Sequence, residues 1–162
     1  FLRRANKLDR LALPPIYLKG KPVWVPEVVF RALSETTSTD KRMAQAWNSG
    51  KWEPPRILIV PGQAPSMIYE RETNTVLIPL VTHDQGYSSF LRALGAYRFF
   101  QAENERDSFV DLVSKEERKS LSEACEYFSK AYETYLSREV KGFRKLPTDI
   151  AKWFKLHLMQ PV

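Results

Sequence analysis

Arg56-Ile57-Leu58-Ile59-Val60 lies between Pro55 and Pro61. A run this short, rich in β-branched side chains and bounded by proline at both ends, is long enough for a strand and too short for a stable helix. It therefore commits the chain to at least one sheet. Two further strand candidates follow, Ser66 to Glu70 and Thr75 to Leu80. The polar Arg71-Glu72-Thr73-Asn74 between them has the length and chemistry of a hairpin loop. In the second strand, Val76 and Ile78 share one face and Leu77 takes the other.

The rest of the chain has helical spacing. Pro26 suits the first turn of a helix through Val28, Val29, Ala32 and Leu33, with the Ser34–Thr39 stretch loosening its end. Asp40 opens a second helix, with Met43, Ala44 and Trp47 on one side and Asn48-Ser49-Gly50 as its stop. Ser88-Ser89 is placed to cap a helix from Phe90 to about Gln101, and an acidic loop with Glu103, Glu105 and Asp107 follows. Ser114-Lys115-Glu116-Glu117 reads as a capping box opening a long helix to about Glu139, with a stripe of Leu121, Cys125, Phe128, Tyr132 and Tyr135. Gly142 ends it. A last helix after Pro147 carries Ile150, Trp153, Phe154, His157 and Leu158 on one side. This order predicts an α+β fold: helices, a small antiparallel sheet with a hairpin, a central helix, then C-terminal helices. The expected division is a basic N-terminal arm at 1–22, an α+β core at 23–107 and a C-terminal helical extension at 108–162 packed on the core.

The formal net charge of +6 is unevenly spread. Arg3, Arg4, Lys7, Arg10, Lys19 and Lys21 crowd the first segment. Arg138, Lys141, Arg144, Lys145, Lys152 and Lys155 crowd the last. Basic ends on a near-neutral body suit an anionic partner such as nucleic acid, lipid headgroups or an acidic protein; they suit plain solubility equally well. The single cysteine, Cys125, rules out an intrachain disulfide and falls on a helical stripe, as a core thiol would. No apolar run reaches the roughly 20 residues of a membrane span. The expected location is cytoplasmic. Phe1-Leu2-Arg3-Arg4 also suits the inner end of a membrane tether before Phe1, although an arbitrary boundary explains it more simply.

The segment after the hairpin reads Arg92-Ala93-Leu94-Gly95-Ala96-Tyr97-Arg98. Its position and its Leu-Gly pair resemble the active-site helix of the zincin metallopeptidases, the small gluzincin-like enzymes in particular. In that family the helix carries His-Glu-x-x-His, often as His-Glu-Leu-Gly-His. Histidines four apart share a helix face and bind one zinc, and the glutamate polarises the attacking water. Here Arg92 and Ala96 stand at the ligand positions and Ala93 at the base. A zinc site needs three or four ligands. The chain offers two histidines, His83 and His157, neither at ligand spacing, and one cysteine. No cofactor motif is present. The Glu103, Glu105, Asp107 and Asp111 group lacks the alternation and central glycine of a calcium loop.

What the resemblance implies is a pseudo-peptidase: a non-catalytic scaffold or interaction module that holds no metal or cofactor and binds a protein or peptide. Zincin clefts take extended peptides along an edge strand. The candidate binding residues are Val76 and Ile78 on the Thr75–Leu80 strand, Arg92 for a carboxylate, and Trp153, Phe154 and Tyr135 as aromatic anchors. If this holds, Arg92→His, Ala93→Glu and Ala96→His together are expected to be tolerated. The alternatives are a basic nucleic-acid-binding or anionic-membrane-binding domain and, last, a cryptic hydrolase.

Overall fold

The computed structural model describes residues 16–18, 21–22, 27–63, 67–81, 86–139, 142–143 and 146–159. Chain order is β1 (Ile16–Leu18), β2 (Lys21–Pro22), α1 (Glu27–Thr39), α2 (Lys41–Ser49), β3 (Arg56–Gln63), β4 (Ile68–Glu70), β5 (Thr75–Val81), α3 (Gly86–Phe99), α4 (Glu103–Val113), α5 (Leu121–Thr134) and α6 (Thr148–Met159); α5 runs on into a π-helical turn at Tyr135–Glu139. The fold class is α+β. The expectations for His83 and for most of the basic arm lie outside the described residues.

The sheet is mixed, which corrects the antiparallel expectation. Its order is β2-β1-β3-β5-β4, with β3 parallel to both β1 and β5 and with β4 antiparallel to β5. The β4–β5 hairpin exists, but it docks with β5 on the inside. The cause is apolar content. β5 supplies Val76 and Ile78, which are 0% and 3% exposed, whereas β4 is three residues long and leaves Ile68 at 56%. A short strand at an edge offers little template for unwanted pairing. The Thr75–Leu80 strand is therefore interior, and Val76 and Ile78 are core residues with no surface for a partner. β3 also continues through Pro61 instead of ending there. The register with β5 shifts between Val60 and Gln63, and an irregularity of this kind accommodates a residue without an N–H.

Asn74 closes the hairpin at φ 49°, in the left-handed region that asparagine tolerates. Its side-chain oxygen accepts from the Tyr69 hydroxyl at 2.8 Å, and its amide nitrogen donates to the carbonyls of Glu53 and Pro54. The loop is thus fastened to the segment that leads into β3.

α1 buries Val29, Ala32, Leu33, Thr36 and Thr37, one helical stripe. It does not loosen at Ser34–Thr39. The hydroxyls of Thr36, Thr37 and Ser38 donate to the carbonyls of Ala32, Leu33 and Ser34 one turn back, so the polar run stays helical. α2 starts where Asp40 accepts from the Met43 N–H and stops at Gly50, whose φ of 75° makes the left-handed cap. The Ser-x-x-Glu pattern occurs twice after α4, and the structure uses the second. Ser120 and Glu123 form the capping box of α5, while Ser114 ends α4. The expected acidic loop is α4 itself.

One core joins all of this. Phe109 of α4, Phe128 and Tyr132 of α5, and Trp153 and Phe154 of α6 interlock, with ring centroids 4.9 to 6.2 Å apart. They share a buried cluster with Ile57, Val76, Ile78 and the stripe of α1. The expected break between residues 107 and 108 falls inside α4, where no boundary can lie. The expected arm contributes β1 to the sheet. Among the described residues no helix is long and apolar enough to cross a membrane.

Candidate binding groove

α3 and α5 lie antiparallel, since Arg92 pairs with Glu133 while Phe99 meets Phe128. They approach closely at Gly95, where an added Cβ would stand 3.0 Å from the Ser129 Cα and 3.1 Å from the Tyr132 Cβ. The Leu-Gly pair thus has a packing reason of its own: glycine lets one helix backbone rest on another. The Ser129 hydroxyl donates to the Cys125 carbonyl one turn back at 2.8 Å.

Beside that crossing the two helices and β4 enclose a groove of about 660 Å³. Arg92, Ala93 and Ala96 line it from α3, with Phe100 just past the helix end, and Leu121, Ser122, Cys125, Glu126, Ser129 and Lys130 from α5. Met67, Ile68 and Tyr69 close the third side, with Arg71 at the end. β4 itself contributes Ile68 and Tyr69 to the lining, and it is an edge strand of this sheet. The Ser89 hydroxyl accepts from the Met67 N–H at 2.6 Å and pins the start of β4 to α3; Ser88-Ser89 lies within the helix, which begins at Gly86. At the floor, Ala93 and Ala96 end at Cβ, and the space above them is what the groove consists of.

The structure thus brings Arg92, Ala93 and Ala96 together in one groove, next to an edge strand. Arg92 is exposed and its Nε donates to Glu133 at 3.0 Å. Ala93 is only 4% exposed, so Ala93→Glu would bury a carboxylate, and the tolerance expected of the triple substitution does not extend to that position. Trp153 and Phe154 are 7% and 0% exposed and Tyr135 is 4%, so the expected aromatic anchors belong to the core. Burial raises the pKa of the Cys125 thiol above its ordinary value, and likewise that of Tyr69. Among the described residues no three His, Cys, Asp or Glu side chains come together as metal ligands would.

A second polar constellation was not anticipated. Arg98 is 1% exposed. Its Nε donates to Asp40 at 3.0 Å, its second nitrogen pairs with Glu105 at 2.8 Å, and its guanidinium lies 4.6 Å above the Trp52 ring. The Tyr132 hydroxyl donates to Asp40 at 2.9 Å, and Arg42 pairs with Glu105. A sequence signal did exist: position 98 lies four after Leu94 and seven after Leu91, on the buried stripe.

His157 sits at the margin of this cluster, its Nδ1 3.8 Å from Glu105, its ring against Trp153. Burial, and then the charges of Arg42 and Arg98, hold its pKa below the ordinary value of 6.5. The folded state therefore binds this proton less readily than the unfolded chain does. The stability so contributed is present above about pH 6.5 and is lost as the pH falls below it. Urea titrations at pH 7.5 and pH 5.5 are expected to show a smaller acid loss for His157→Gln than for the parent; an identical loss would mean that His157 is not the group responsible.

Comparisons with protein families, with curated proteins and with solved structures return no match, so the groove is to be read from its own geometry.

Proposed function

We propose that this chain is a non-catalytic peptide-binding module on a scaffold resembling the zincin peptidases, with Arg92, Ala93 and Ala96 standing where that family places its zinc ligands and base. The observation that carries this reading is the open groove itself: an edge strand of the sheet runs beside a floor of two alanines. A strand edge supplies main-chain hydrogen bonds to an extended segment, and the apolar lining supplies side-chain contacts. The residues at the motif positions supply no group for hydrolysis, since alanine neither ligates nor accepts a proton and arginine repels a cation.

Selection of displayed peptides on the immobilised full chain tests this. Peptides are expected that bind the parent and lose binding tenfold or more to Ala96→Trp, which fills the groove from its floor. They are expected to remain intact by mass spectrometry after incubation with protein and zinc salt. Peptides that bind Ala96→Trp as well as the parent, with both proteins melting alike, would place recognition elsewhere; cleavage would overturn the non-catalytic reading.

A further inference from the structure

We infer that the groove selects acidic segments, taking an extended peptide with an apolar side chain against Ile68 and Leu121 and a carboxylate on the guanidinium of Arg71. This rests on the peptide-binding reading above. The groove lining holds three cations, Arg71, Arg92 and Lys130, and one carboxylate, Glu126. Two of the cations are answered from within the chain: Arg92 by Glu133 at 3.0 Å and Lys130 by Glu126 at 3.1 Å. For Arg71 no carboxylate partner is found among the described residues. Its guanidinium is instead laid over the Phe100 ring, 4.1 Å from the centroid, inside the groove. A guanidinium held over a ring face keeps its N–H donors for another partner and can receive a carboxylate through two parallel hydrogen bonds. Because the arginine is already held, less freedom is lost on binding.

The apolar half of the preference comes from Ile68 and Leu121, which are 56% and 44% exposed and line the same groove. Arg71 follows directly on β4. It stands three residues on from Ile68, at the first position of the hairpin turn. A segment laid beside β4 would therefore carry its carboxylate about three residues from its apolar anchor. A nucleic-acid backbone fits less well, because it needs a row of unanswered cations and the floor here is apolar.

The test uses fluorescein-labelled hexapeptide pools with Leu, Ile or Phe at the second position. One pool has Glu at the fifth position and an amidated end. A second has Gln there and an amidated end, and a third has Gln and a free C-terminal carboxylate. Anisotropy titration of the full chain is expected to show at least tenfold tighter binding of an acid-bearing pool than of the Gln amide pool. Whether the Glu or the free-end pool leads tells a side-chain carboxylate from a terminal one, and either supports the inference. Arg71→Gln is expected to abolish the preference, so that the acid-bearing pools and the Gln amide pool bind this variant alike, and Arg71→Lys to retain part of it. Equal binding of all pools, still lost in Ala96→Trp, would overturn the acidic preference and leave the peptide reading standing. No binding of any pool would overturn both. A preference that survives Arg71→Gln but not Arg92→Gln would move the anion to Arg92 and overturn the assignment. So would a concentration-dependent dimer abolished by Ile68→Lys, or displacement of the Glu pool by a single-stranded oligonucleotide.

Discussion

Asp40→Ala is expected to cost about 3 to 5 kcal/mol, the range for breaking a buried ion pair by removing one partner. Three contacts are lost at once. Asp40 caps α2 through the Met43 N–H at 3.0 Å, accepts from Arg98 at 3.0 Å and accepts from the Tyr132 hydroxyl at 2.9 Å. The residue is fully buried, so water does not replace these partners. What remains is two guanidinium groups, Arg42 and Arg98, sharing the single carboxylate of Glu105. Asp40→Asn separates the contributions. It keeps an oxygen for the cap, worth about 1 kcal/mol, and loses the charge. Denaturant titration is the measurement, with Asn expected between parent and Ala. A loss under about 1 kcal/mol for Ala would mean that the cluster rearranges around a vacated position and does not tie α1, α2, α3 and α5 together. A double-mutant cycle with Arg98→Met is expected to show strong coupling, since the two residues touch.

Gly95→Val is expected to destabilise by about 3 kcal/mol or more and to abolish peptide capture as well. The ideal Cβ at position 95 stands 3.0 Å from a backbone atom, the Ser129 Cα, and a backbone cannot rotate aside as a side chain can. Gly95→Ala gains about 1 kcal/mol of helix propensity but meets an overpacking cost of about 1 to 3 kcal/mol, so a small net loss is expected. Valine adds two methyl groups to the same clash and has no propensity advantage over alanine. α3 and α5 must then separate, and the groove they share with β4 changes shape. Thermal melts of both variants, with anisotropy titration of a selected peptide, check this. Wild-type stability in Gly95→Val would show that the helices do not pack as closely as the structure has them. Unlike Gly95→Val, Ala96→Trp blocks the groove from a half-buried position on its floor, so the two variants distinguish loss of packing from loss of the site.

Local physics was enough for most of the elements. Prolines and β-branched residues marked β3, Asp40 and Gly50 marked the ends of α2, and the stripe of Ile150, Trp153, Phe154 and Leu158 marked α6, because each depends on residues within one or two turns of each other. The same reasoning placed Arg92, Ala93 and Ala96 on one face of a helix beside a hairpin, and the structure sets them in one groove. It failed where a local pattern had two solutions. Ser114-x-x-Glu117 and Ser120-x-x-Glu123 are the same capping pattern, and only the packing of Phe109 and Phe128 decides where α4 ends and α5 begins.

The amino-acid sequence by itself determined the α+β class and the hairpin loop, since composition and short-range periodicity carry that information. Only the tertiary structure decided that β5 lies inside the sheet and β4 at its edge, that Arg98 and Glu105 are buried partners, and that Arg71 is the groove cation with no carboxylate partner among the described residues. Strand order is settled by which side of a hairpin buries more apolar surface against the neighbouring elements. An arginine on a buried stripe is tolerated only when carboxylates distant in sequence, here Asp40 and Glu105, arrive in space to meet it.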